Sequence, residues 1–415
     1  MYDQSFNYIS LSKMLRKGDF YKNQNLKQEA YKNNAILDAV NSAMKDFNGI
    51  SPLASSVLNS KNVYRINDFH NELVLRKVNS NLRKVIGGRE LLGREAIVSN
   101  VDKLISEGVP YRIYRLDVKS FYESFSIDEV LNTIENNLFL SFPTKRIIRK
   151  LLEFHYQFGG TGLPRGISVS ATLSEIMMNS FDDKVKKING VYFYARYVDD
   201  IIILTNLQED KEVFFNKLES LLPQGLFFSK RKNEIKEIDK IVGNSSNNGS
   251  LLINFEYLGY KFSVYETSKN NKNFRPVVLD IAGSKVAKIK TRIIRSIVDY
   301  NRSLNFELLL LRIKYLTANF SIFDKDRERK RLAGIYYNYH QISEQANALN
   351  DLDRFLKIAI LSGSGNIFSQ FHAKTTSEKR RKLLNFSFSR GFKNKTFVYF
   401  SAPTLKKIQE CWKYA

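Results

Sequence analysis

Two adjacent aspartates between strongly β-forming runs constrain this sequence more than any other feature. Residues 191–204 read VYFYARYVDDIIIL, so aromatic and β-branched residues lie on both sides of Asp199 and Asp200. This pattern is typical of a β-hairpin whose tip carries the two acids. Neighbouring carboxylates repel each other, and a tip between apolar strands is unfavourable for them without a cation. A solvated turn is the alternative, although hairpin turns favour Gly or Asn over the Tyr197-Val198 found here.

A third aspartate ends another predicted strand. Residues 111–118, YRIYRLDV, alternate in polarity up to Asp117, which alone would be interpreted as a cap for the next helix. Asp117 lies 82 positions before Asp199, which leaves room for helices and a loop, so the two strands can be neighbours. Carboxylates brought together in this way could hold two divalent cations about 3.5–4 Å apart for phosphoryl transfer. Mg²⁺ suits such oxygen ligands.

The charge balance predicts a polyanionic partner. Lys and Arg number 65 against 42 Asp and Glu, which gives a net charge of +23. A nucleic acid fits this excess, and a generally basic surface in a Lys- and Asn-rich proteome is the alternative. The 43% of hydrophobic residues, with 30 Phe and 22 Tyr, exclude disorder for most of the chain.

Other classes of protein are excluded by what the composition lacks. The single cysteine, Cys411, excludes a disulfide framework, and four scattered histidines make a zinc site improbable. No apolar run approaches the roughly 20 residues that cross a bilayer, and the polar N-terminus does not look like a signal peptide. We therefore expect a cytoplasmic protein without a membrane partner.

Five motifs, in order, resemble those of reverse transcriptases. They are LDVKSFYESF (116–125), GLPRGISVSATLSEI (162–176), YVDD (197–200), FFSKRKNEI (227–235) and FEYLGYKF (255–262). The resemblance covers about residues 60–265, half of the chain, and depends on motif order and spacing more than on any one string. It implies an RNA-directed DNA polymerase, a nucleotidyltransferase, with an α+β right-hand fold. The palm would be ferredoxin-like, an antiparallel sheet plus helices, with fingers before it and an all-α thumb after it.

The resemblance also implies roles at the reaction centre. Asp117, Asp199 and Asp200 would be the catalytic metal ligands for two Mg²⁺ ions, with the backbone carbonyl of Val118 completing one coordination shell. Tyr122 would lie under the sugar and favour dNTPs over ribonucleotides. A core aromatic residue is the alternative for Tyr122.

Basic residues are predicted to contact the incoming nucleotide. Lys232 falls where the family keeps a lysine near the triphosphate, and a solvated lysine is the alternative. Arg76, Lys77 and Arg83, with Lys84 beside them, are candidates from the fingers. The segments around them, LVLRKV and LRKVI, alternate as half-buried strands would, and Gly87-Gly88 predicts a turn.

One motif departs from the family pattern. The common Leu-Pro-Gln-Gly is here Leu163-Pro164-Arg165-Gly166, so Arg165 stands where a glutamine contacts nucleotide or template. A fixed charge on a planar fork suggests a specialised product. The string SATLSE resembles bacterial antiphage and abortive-infection reverse transcriptases. This implies a role in antiviral defence, with a noncoding RNA as template and a partner protein or a homo-oligomer as further options.

Three regions are expected from these patterns. They are an N-terminal helical extension at 1–60, fingers and palm at 61–265, and an α-helical thumb and C-terminal region at 266–415. A basic stripe in the third region would contact nucleic-acid phosphates in a salt-sensitive way, or would be a solvated helix face. Its members are Lys285, Lys288, Arg292 and Arg295.

Three other functions are open at this point. The same site could make DNA without a template, or prime synthesis from its own hydroxyl-bearing side chain. The chain could also be a catalytically inactive RNA-binding scaffold, although clustered acids would weaken RNA binding. An RNA-dependent RNA polymerase is disfavoured by YVDD and Tyr122.

Overall fold

The computed structural model describes residues 2–58, 60–85, 92–239, 249–266, 274–324 and 329–413. Helices alternate with short strands along most of this length, and three short segments are 3-10 helices. The α-helices are α1 (Tyr8–Ser12), α2 (Lys17–Lys22), α3 (Glu29–Met44), α4 (Phe69–Val85), α5 (Arg94–Ile105), α6 (Ile127–Glu135), α7 (Phe142–Gln157), α8 (Ser168–Lys186), α9 (Lys211–Ser220), α10 (Gly283–Ser303), α11 (Phe306–Thr317), α12 (Ile335–Tyr339), α13 (Ala348–Leu361), α14 (Asn366–Lys374), α15 (Ser377–Leu384), α16 (Phe388–Lys393) and α17 (Ala402–Gln409).

Strands form antiparallel sheets throughout. They are β1 (Leu53–Leu58), β2 (Lys61–Ile66), β3 (Tyr111–Asp117), β4 (Val191–Tyr197), β5 (Asp200–Thr205), β6 (Glu234–Ile238), β7 (Leu251–Tyr257), β8 (Tyr260–Tyr265), β9 (Val277–Ile281), β10 (Asn319–Asp324) and β11 (Arg329–Gly334). Together with the helices, they confirm the predicted α+β class.

The chain divides into two compact units, each with its own hydrophobic core. The first comprises Met1–Gly93 and Pro110–Asp239, and the second comprises Arg94–Val109 and Lys240–Ala415. The functional division at residues 60 and 265 stays a prediction. None of the described helices is both long and apolar enough to span a membrane.

A four-stranded sheet in the order β4-β5-β3-β6 organises the first unit. Chain order runs from β3 through α6, α7 and α8 to the β4–β5 hairpin, and then through α9 to β6. This is the βαββαβ connectivity of a ferredoxin-like sheet, which confirms the predicted palm. The run DIIILT forms the central strand β5, and its residues Ile201 to Thr205 are all buried. A strand covered on both faces needs such a continuous apolar run.

The strand predictions for LVLRKV (73–78) and for residues 82–85 of LRKVI are wrong, because these residues belong to helix α4; the last residue of LRKVI lies outside the described residues. Buried residues recur at helical spacing along it, at Leu75, Val78 and Leu82 among others. The six-residue windows that alternate in polarity were too short to distinguish a period of 2 from one of 3.6. The predicted Gly87-Gly88 turn lies outside the described residues.

Two helices of the first unit begin with a serine N-cap. Helix α6 starts after Ser126, whose hydroxyl accepts a hydrogen bond from the Glu129 amide at 3.4 Å. Helix α7 begins similarly, with Ser141 as its N-cap. The segment SATLSEIMMNSFDD lies in the long helix α8.

The second unit combines a small sheet with a helical core. Strands β7, β8 and β9 form a three-stranded sheet, and α10 to α17 supply most of the packed residues. Helices α10 to α17 bear out the helical character predicted for most of residues 266–415, but strands β9, β10 and β11 also lie in this region. The β10–β11 hairpin was not predicted, and its register pairs Phe320 with Ala333, both of which are buried.

Candidate active site

Strand pairing brings the predicted acids together at one end of the palm sheet. In the antiparallel register of β3 and β5, Asp117 is the direct partner of Asp200. Asp199 precedes Asp200 at the tip of the β4–β5 hairpin, where Tyr197 and Asp200 form the last pair of the ladder. The residues that are 82 positions apart in the sequence thus meet because β5 lies beside β3.

The hairpin tip has an unusual backbone that a cross-strand bond fixes. Val198 has a φ of 61°, which is rare for a β-branched residue. The amide of Val118 donates a hydrogen bond to the carbonyl of Asp199 at 3.2 Å. This bond ties the tip to the end of β3 and places Asp199 beside Val118, the residue whose carbonyl was predicted to join the coordination shell.

A loop from the motif at 227–235 closes the other side of Asp117. The Asp117 carbonyl accepts from the Ser229 amide at 2.7 Å, and the Asp117 amide donates to Asn233 Oδ1 at 3.1 Å. Lys232 Nζ donates to both Asp117 carboxylate oxygens, at 2.8 and 3.1 Å. The predicted lysine therefore lies at the acids, while 62% of its side chain is exposed to solvent.

Burial and mutual repulsion raise the pKa values of two of the acids, although cations lie nearby. Burial is the main cause that raises the pKa of Asp199, and the nearby Asp117 carboxylate adds to it. Burial, with the charges of Asp199 and Asp117, raises the pKa of Asp200 to about 6. The Asp117 bond is the main cause that raises the pKa of the Lys232 ammonium, since it stabilises the charged form. A cation bound here would relieve the repulsion among the three acids.

The side-chain arrangement does not form a complete metal cage. Across the described ranges, no group of three or more His, Cys, Asp or Glu side chains is arranged to hold a metal ion. The Lys232 ammonium occupies both oxygens of the Asp117 carboxylate. The donor chemistry nevertheless fits Mg²⁺, which binds through one or two carboxylates and completes its shell with water and substrate phosphates.

Tyr122 and Arg165 lie together near the acids. The Arg165 guanidinium is 5.2 Å from the centre of the Tyr122 ring, and it makes a two-pronged bond to Glu123 at 2.7 and 2.9 Å. Burial is the main cause that raises the pKa of the Tyr122 hydroxyl. The charge of Arg165 is thus neutralised by Glu123 in this arrangement, so it positions side chains rather than presenting a free cation.

The loop before Arg165 requires glycine at one position. Gly162 has a φ of +59°, and a Cβ there would lie 2.3 Å from the Tyr122 carbonyl oxygen. The next amide, that of Leu163, donates to the same carbonyl at 2.7 Å. A side chain at position 162 would therefore displace the loop from the segment that carries Tyr122.

A pocket of about 320 Å³ opens beside this loop. Its wall combines the β1–β2 hairpin, the segment after β3 and the loop before α8. The lining residues are Ser60, Lys61, Asn62, Tyr64, Ser120, Glu123, His155, Gly159, Gly160, Thr161, Leu163 and Arg165. The lining is mostly polar, and the size suits one nucleotide-sized molecule.

Two of the cations predicted to bind the triphosphate form hydrogen bonds within the first unit instead. Arg76 is buried and binds both oxygens of Asp19, at 2.6 and 2.9 Å, as well as Glu72. Lys77 is buried and donates to the Asp3 carbonyl at 2.6 Å. The assignment of Arg76 and Lys77 to the triphosphate finds no support in these contacts, because they join α4 to the N-terminal segment. Arg83 is exposed near the end of α4.

The predicted basic stripe lies on α10 in the second unit. Lys285 and Lys288 are exposed, whereas Arg292 and Arg295 are partly buried. The Arg292 guanidinium is 5.5 Å from the centre of the Trp412 ring, so part of its surface packs against the C-terminus. Contact of this stripe with nucleic acid stays a prediction.

The sequence motifs did not identify several polar and charged residues that shape the site. Glu123 and Asn233 lie inside the motifs but were not singled out. Arg196, within the apolar run VYFYARYV, pairs with Glu175 and Asp182 of α8. A charged residue at a buried strand position was an available signal, because such groups need partners.

Comparisons with known proteins identify the family. The model of the family described as reverse transcriptase (RNA-dependent DNA polymerase) matches residues 58–262. The search of curated proteins found no match.

Solved structures of two yeast telomerases are also similar. One is Candida albicans telomerase in complex with a TWJ fragment of telomeric RNA, with 13% identity and a TM-score of 0.36; the alignment covers 86% of this chain and 58% of that one. The other is apo telomerase of Candida tropicalis truncated from its C-terminal domain, with 14% identity and a TM-score of 0.25, covering 60% and 48%. This chain thus spans about half the length of both telomerases.

The family assignment depends on the sequence match, which covers the motifs named above and the strands that bring Asp117, Asp199 and Asp200 together. Residues 58–262 therefore form a domain of the reverse transcriptase family.

Proposed function

We propose that this protein is an RNA-directed DNA polymerase that adds dNTPs to a DNA strand by two-metal phosphoryl transfer. The observation that carries the proposal is the pairing of Asp117 with Asp200, with Asp199 tied to Val118 beside them. Three acids in a partly buried site, two of them with raised pKa values, are suited to binding divalent cations.

Asp117, Asp199 and Asp200, with the Val118 carbonyl, would hold two Mg²⁺ ions together with the substrate phosphates. When bound, the ions supply charge stabilisation to the attacking and leaving oxygens. The protein's own contribution is position, since β3 and β5 hold the acids in register. Lys232, which now binds Asp117, would be the cation available to neutralise or protonate the departing pyrophosphate.

The nucleotide would enter near Tyr122 and the pocket that Arg165 lines. Tyr122 excludes a ribose 2′-hydroxyl by its bulk, and its ring is held against the Arg165–Glu123 pair. Lys61, which lines the pocket and is exposed, is a further cation available to phosphates. Arg83 and the exposed lysines of α10 are proposed contacts for nucleic-acid phosphates.

The biological role we propose is antiphage defence with an associated noncoding RNA as template. The support is the SATLSE string, the Arg165 substitution and the net charge of +23. Purification from the host, followed by sequencing of bound RNA and DNA, tests this part. Recovery of one abundant noncoding RNA supports it, and bulk RNA without enrichment contradicts it.

The activity is tested with purified protein, Mg²⁺, labelled dNTPs and an RNA template with a DNA primer. We expect incorporation that falls by about 10³-fold or more in Asp199→Asn, because the metal-binding charge is lost. Product sequencing distinguishes templated from untemplated synthesis, and a protein–DNA adduct would indicate protein priming. Absence of synthesis by wild-type protein under all these conditions favours an inactive RNA-binding scaffold.

Sugar selectivity is tested with Tyr122→Ala. Truncation of the ring should raise the use of rNTPs relative to dNTPs by about 10-fold or more, because a steric block is removed. An unchanged ratio would place Tyr122 in the core rather than at the sugar.

A further inference from the structure

A buried arginine holds the backbone of the acid-bearing hairpin. Arg196 lies on β4, two residues before Val198, and only 2% of its side chain is exposed. Its Nη1 donates to the Val198 carbonyl at 3.1 Å. The guanidinium therefore contacts the one residue at the tip that has a positive φ.

The same guanidinium is anchored to helix α8 by two acids. Its Nε and Nη2 donate to the two oxygens of Asp182 at 2.9 and 2.8 Å. Its Nη1 and Nη2 donate to the two oxygens of Glu175 at 3.1 and 2.7 Å. Tyr194 donates to Asp182 at 2.5 Å and fixes that acid in turn. All three guanidinium nitrogens thus donate hydrogen bonds: Nε makes one, and Nη1 and Nη2 make two each.

The spacing of the acids explains why α8 can carry this anchor. Glu175 and Asp182 are seven residues apart, which is about two helical turns, so both face β4. The surrounding face of α8 is apolar, with Met178, Phe181 and Val185 buried. Two acids buried in such a face cost folding free energy unless a cation compensates their charge.

Strain at Val198 makes this anchor matter. A β-branched residue with a φ of 61° persists only where surrounding contacts impose that conformation. Two contacts do so here: Arg196 holds the Val198 carbonyl, and Val118 holds the next carbonyl, that of Asp199. A shift of the tip would move both Asp199 and Asp200 relative to Asp117.

We propose that Arg196, anchored by Glu175 and Asp182, is a positioning residue that imposes the strained Val198 turn and so aims Asp199 and Asp200 at Asp117. This inference depends on the proposed function for its kinetic consequence, whereas its structural consequence does not. Arg196 touches no reacting atom. It acts through the hairpin backbone.

The central variant is Arg196→Lys, which keeps the charge but cannot bind two carboxylates and a carbonyl at once. We expect kcat for dNTP incorporation to fall by about 10- to 100-fold, with KM for dNTP changed less than about threefold, because misplacement of reacting groups mainly affects the chemical step. The matched control is Arg112→Lys. Arg112 is a partly buried arginine that also pairs with two acids, at the opposite end of β3 from Asp117.

A second background separates positioning from general stability. Val198→Gly removes the strain, because glycine adopts positive φ without cost. In that background Arg196→Lys should lower kcat by less than about threefold further, since the turn no longer needs to be imposed. Equal losses in both backgrounds would overturn the proposal, as would an unchanged kcat in Arg196→Lys alone.

Hydrogen exchange supplies a readout that does not require polymerase activity. Amides of a peptide covering 197–204 should exchange faster in Arg196→Lys than in wild-type protein, and at the wild-type rate in Arg112→Lys. If wild-type protein makes no DNA but this exchange difference is found, the proposed function fails and the positioning role stands. Unchanged exchange in Arg196→Lys refutes the positioning role. If Arg196→Lys does not fold, Glu175→Gln weakens the same anchor and takes its place.

Discussion

The two ends of strand β3 carry opposite electrostatic arrangements. At its start, Arg112 binds Glu209 and Glu237, both at 2.8 Å, and Tyr114 and Thr205 also donate to Glu209. At its end, Asp117 faces Asp200 and Asp199, and a mostly exposed lysine is the partner recorded for Asp117. The two ends are five residues apart, or roughly 17 Å along the strand.

The difference fits the proposed function, in which the Arg112 end of β3 supplies stability and the Asp117 end supplies the catalytic acids. At the Arg112 end, burial tends to raise the pKa of Glu209, but hydrogen bonds outweigh it, so that pKa is lowered. At the Asp117 end, burial and like charges raise the pKa of both Asp199 and Asp200. Hydrogen bonds at one end lower the pKa of the buried acid, whereas burial and like charges at the other end raise the pKa values of two acids.

The largest contrast is expected from one neutralising change at each end. Asp117→Asn should reduce dNTP incorporation by about 10³-fold or more, because a metal-binding charge is lost. Glu209→Gln should leave incorporation within about twofold while lowering the melting temperature, since it disrupts a structural network. Primer extension and thermal unfolding of both variants measure this. Loss of activity in Glu209→Gln alone would reverse our assignment of the two ends.

Lys232→Ala sharpens the comparison by removing the lysine from the acidic end. Activity should fall by about 10- to 100-fold if the ammonium assists the leaving pyrophosphate. The Mg²⁺ concentration for half-maximal activity should fall as well, because the lysine no longer competes with the metal ion for the Asp117 carboxylate. The control is Lys236→Ala. Lys236 pairs with Glu234, and both residues lie on β6, the strand next to β3. A higher Mg²⁺ requirement in Lys232→Ala would show that the two do not compete.

Stability should depend on pH with opposite sign at the two ends. The folded pKa of Asp200, about 6, lies above its ordinary value of 3.8. The folded state therefore binds more protons than the unfolded state between these values, and this group lowers the free energy of unfolding as pH rises through them. Without metal, Asp200→Asn should be more stable than wild-type protein at pH 7, by at most about 3 kcal/mol. The difference should shrink towards pH 4.

The Glu209→Gln variant gives the opposite sign for the same measurement. In wild-type protein the folded state lowers the pKa of Glu209, so the contribution of this carboxylate to stability is present at pH 7 and is lost as pH falls through the acid range. Chemical denaturation in EDTA from pH 4 to 7 compares both variants with wild-type protein. Parallel pH profiles for Asp200→Asn and Glu209→Gln would contradict the electrostatic difference between the ends.

The smallest effect is expected for Tyr114→Phe. The change removes one hydrogen bond, from the Tyr114 hydroxyl to Glu209 at 2.8 Å, from a network that keeps its other members. We expect a loss of about 1 kcal/mol in the free energy of unfolding and no change in kcat. Denaturant unfolding and primer extension measure the two quantities. A clear fall in kcat would mean that the two ends of β3 are coupled.

Much of the palm was predictable because its signals are local. The run VYFYARYVDDIIIL specifies a hairpin by its own β-branched and aromatic residues, and Ser126 specifies a helix start by its spacing to Glu129. Residues 73–85 show the limit of such reasoning. There, short windows fit two periods equally well, and packing of α4 against α3 and α8 decided for the helix.

The contacts of the basic side chains could not be predicted from the sequence, because their partners lie far away along the chain. Arg76 was expected at the triphosphate but binds Asp19, which is 57 residues away. Arg165 was expected to contact nucleotide or template, and it lines the pocket while its charge is balanced by Glu123. Arg196 was not considered, although it contacts the carbonyl of Val198 within the most informative motif.

The sequence by itself determined which acids exist, that two of them lie at a hairpin tip, and the family to which they belong, because these follow from residue types and short-range spacing. Only the tertiary structure decided that β5 lies between β4 and β3, which sets Asp200 opposite Asp117. It also decided that Arg196, on β4, connects two acids of α8 to the strained turn. Strand order and buried ion pairs depend on which distant segments pack together, and that free energy is shared across the whole core rather than encoded at any one position.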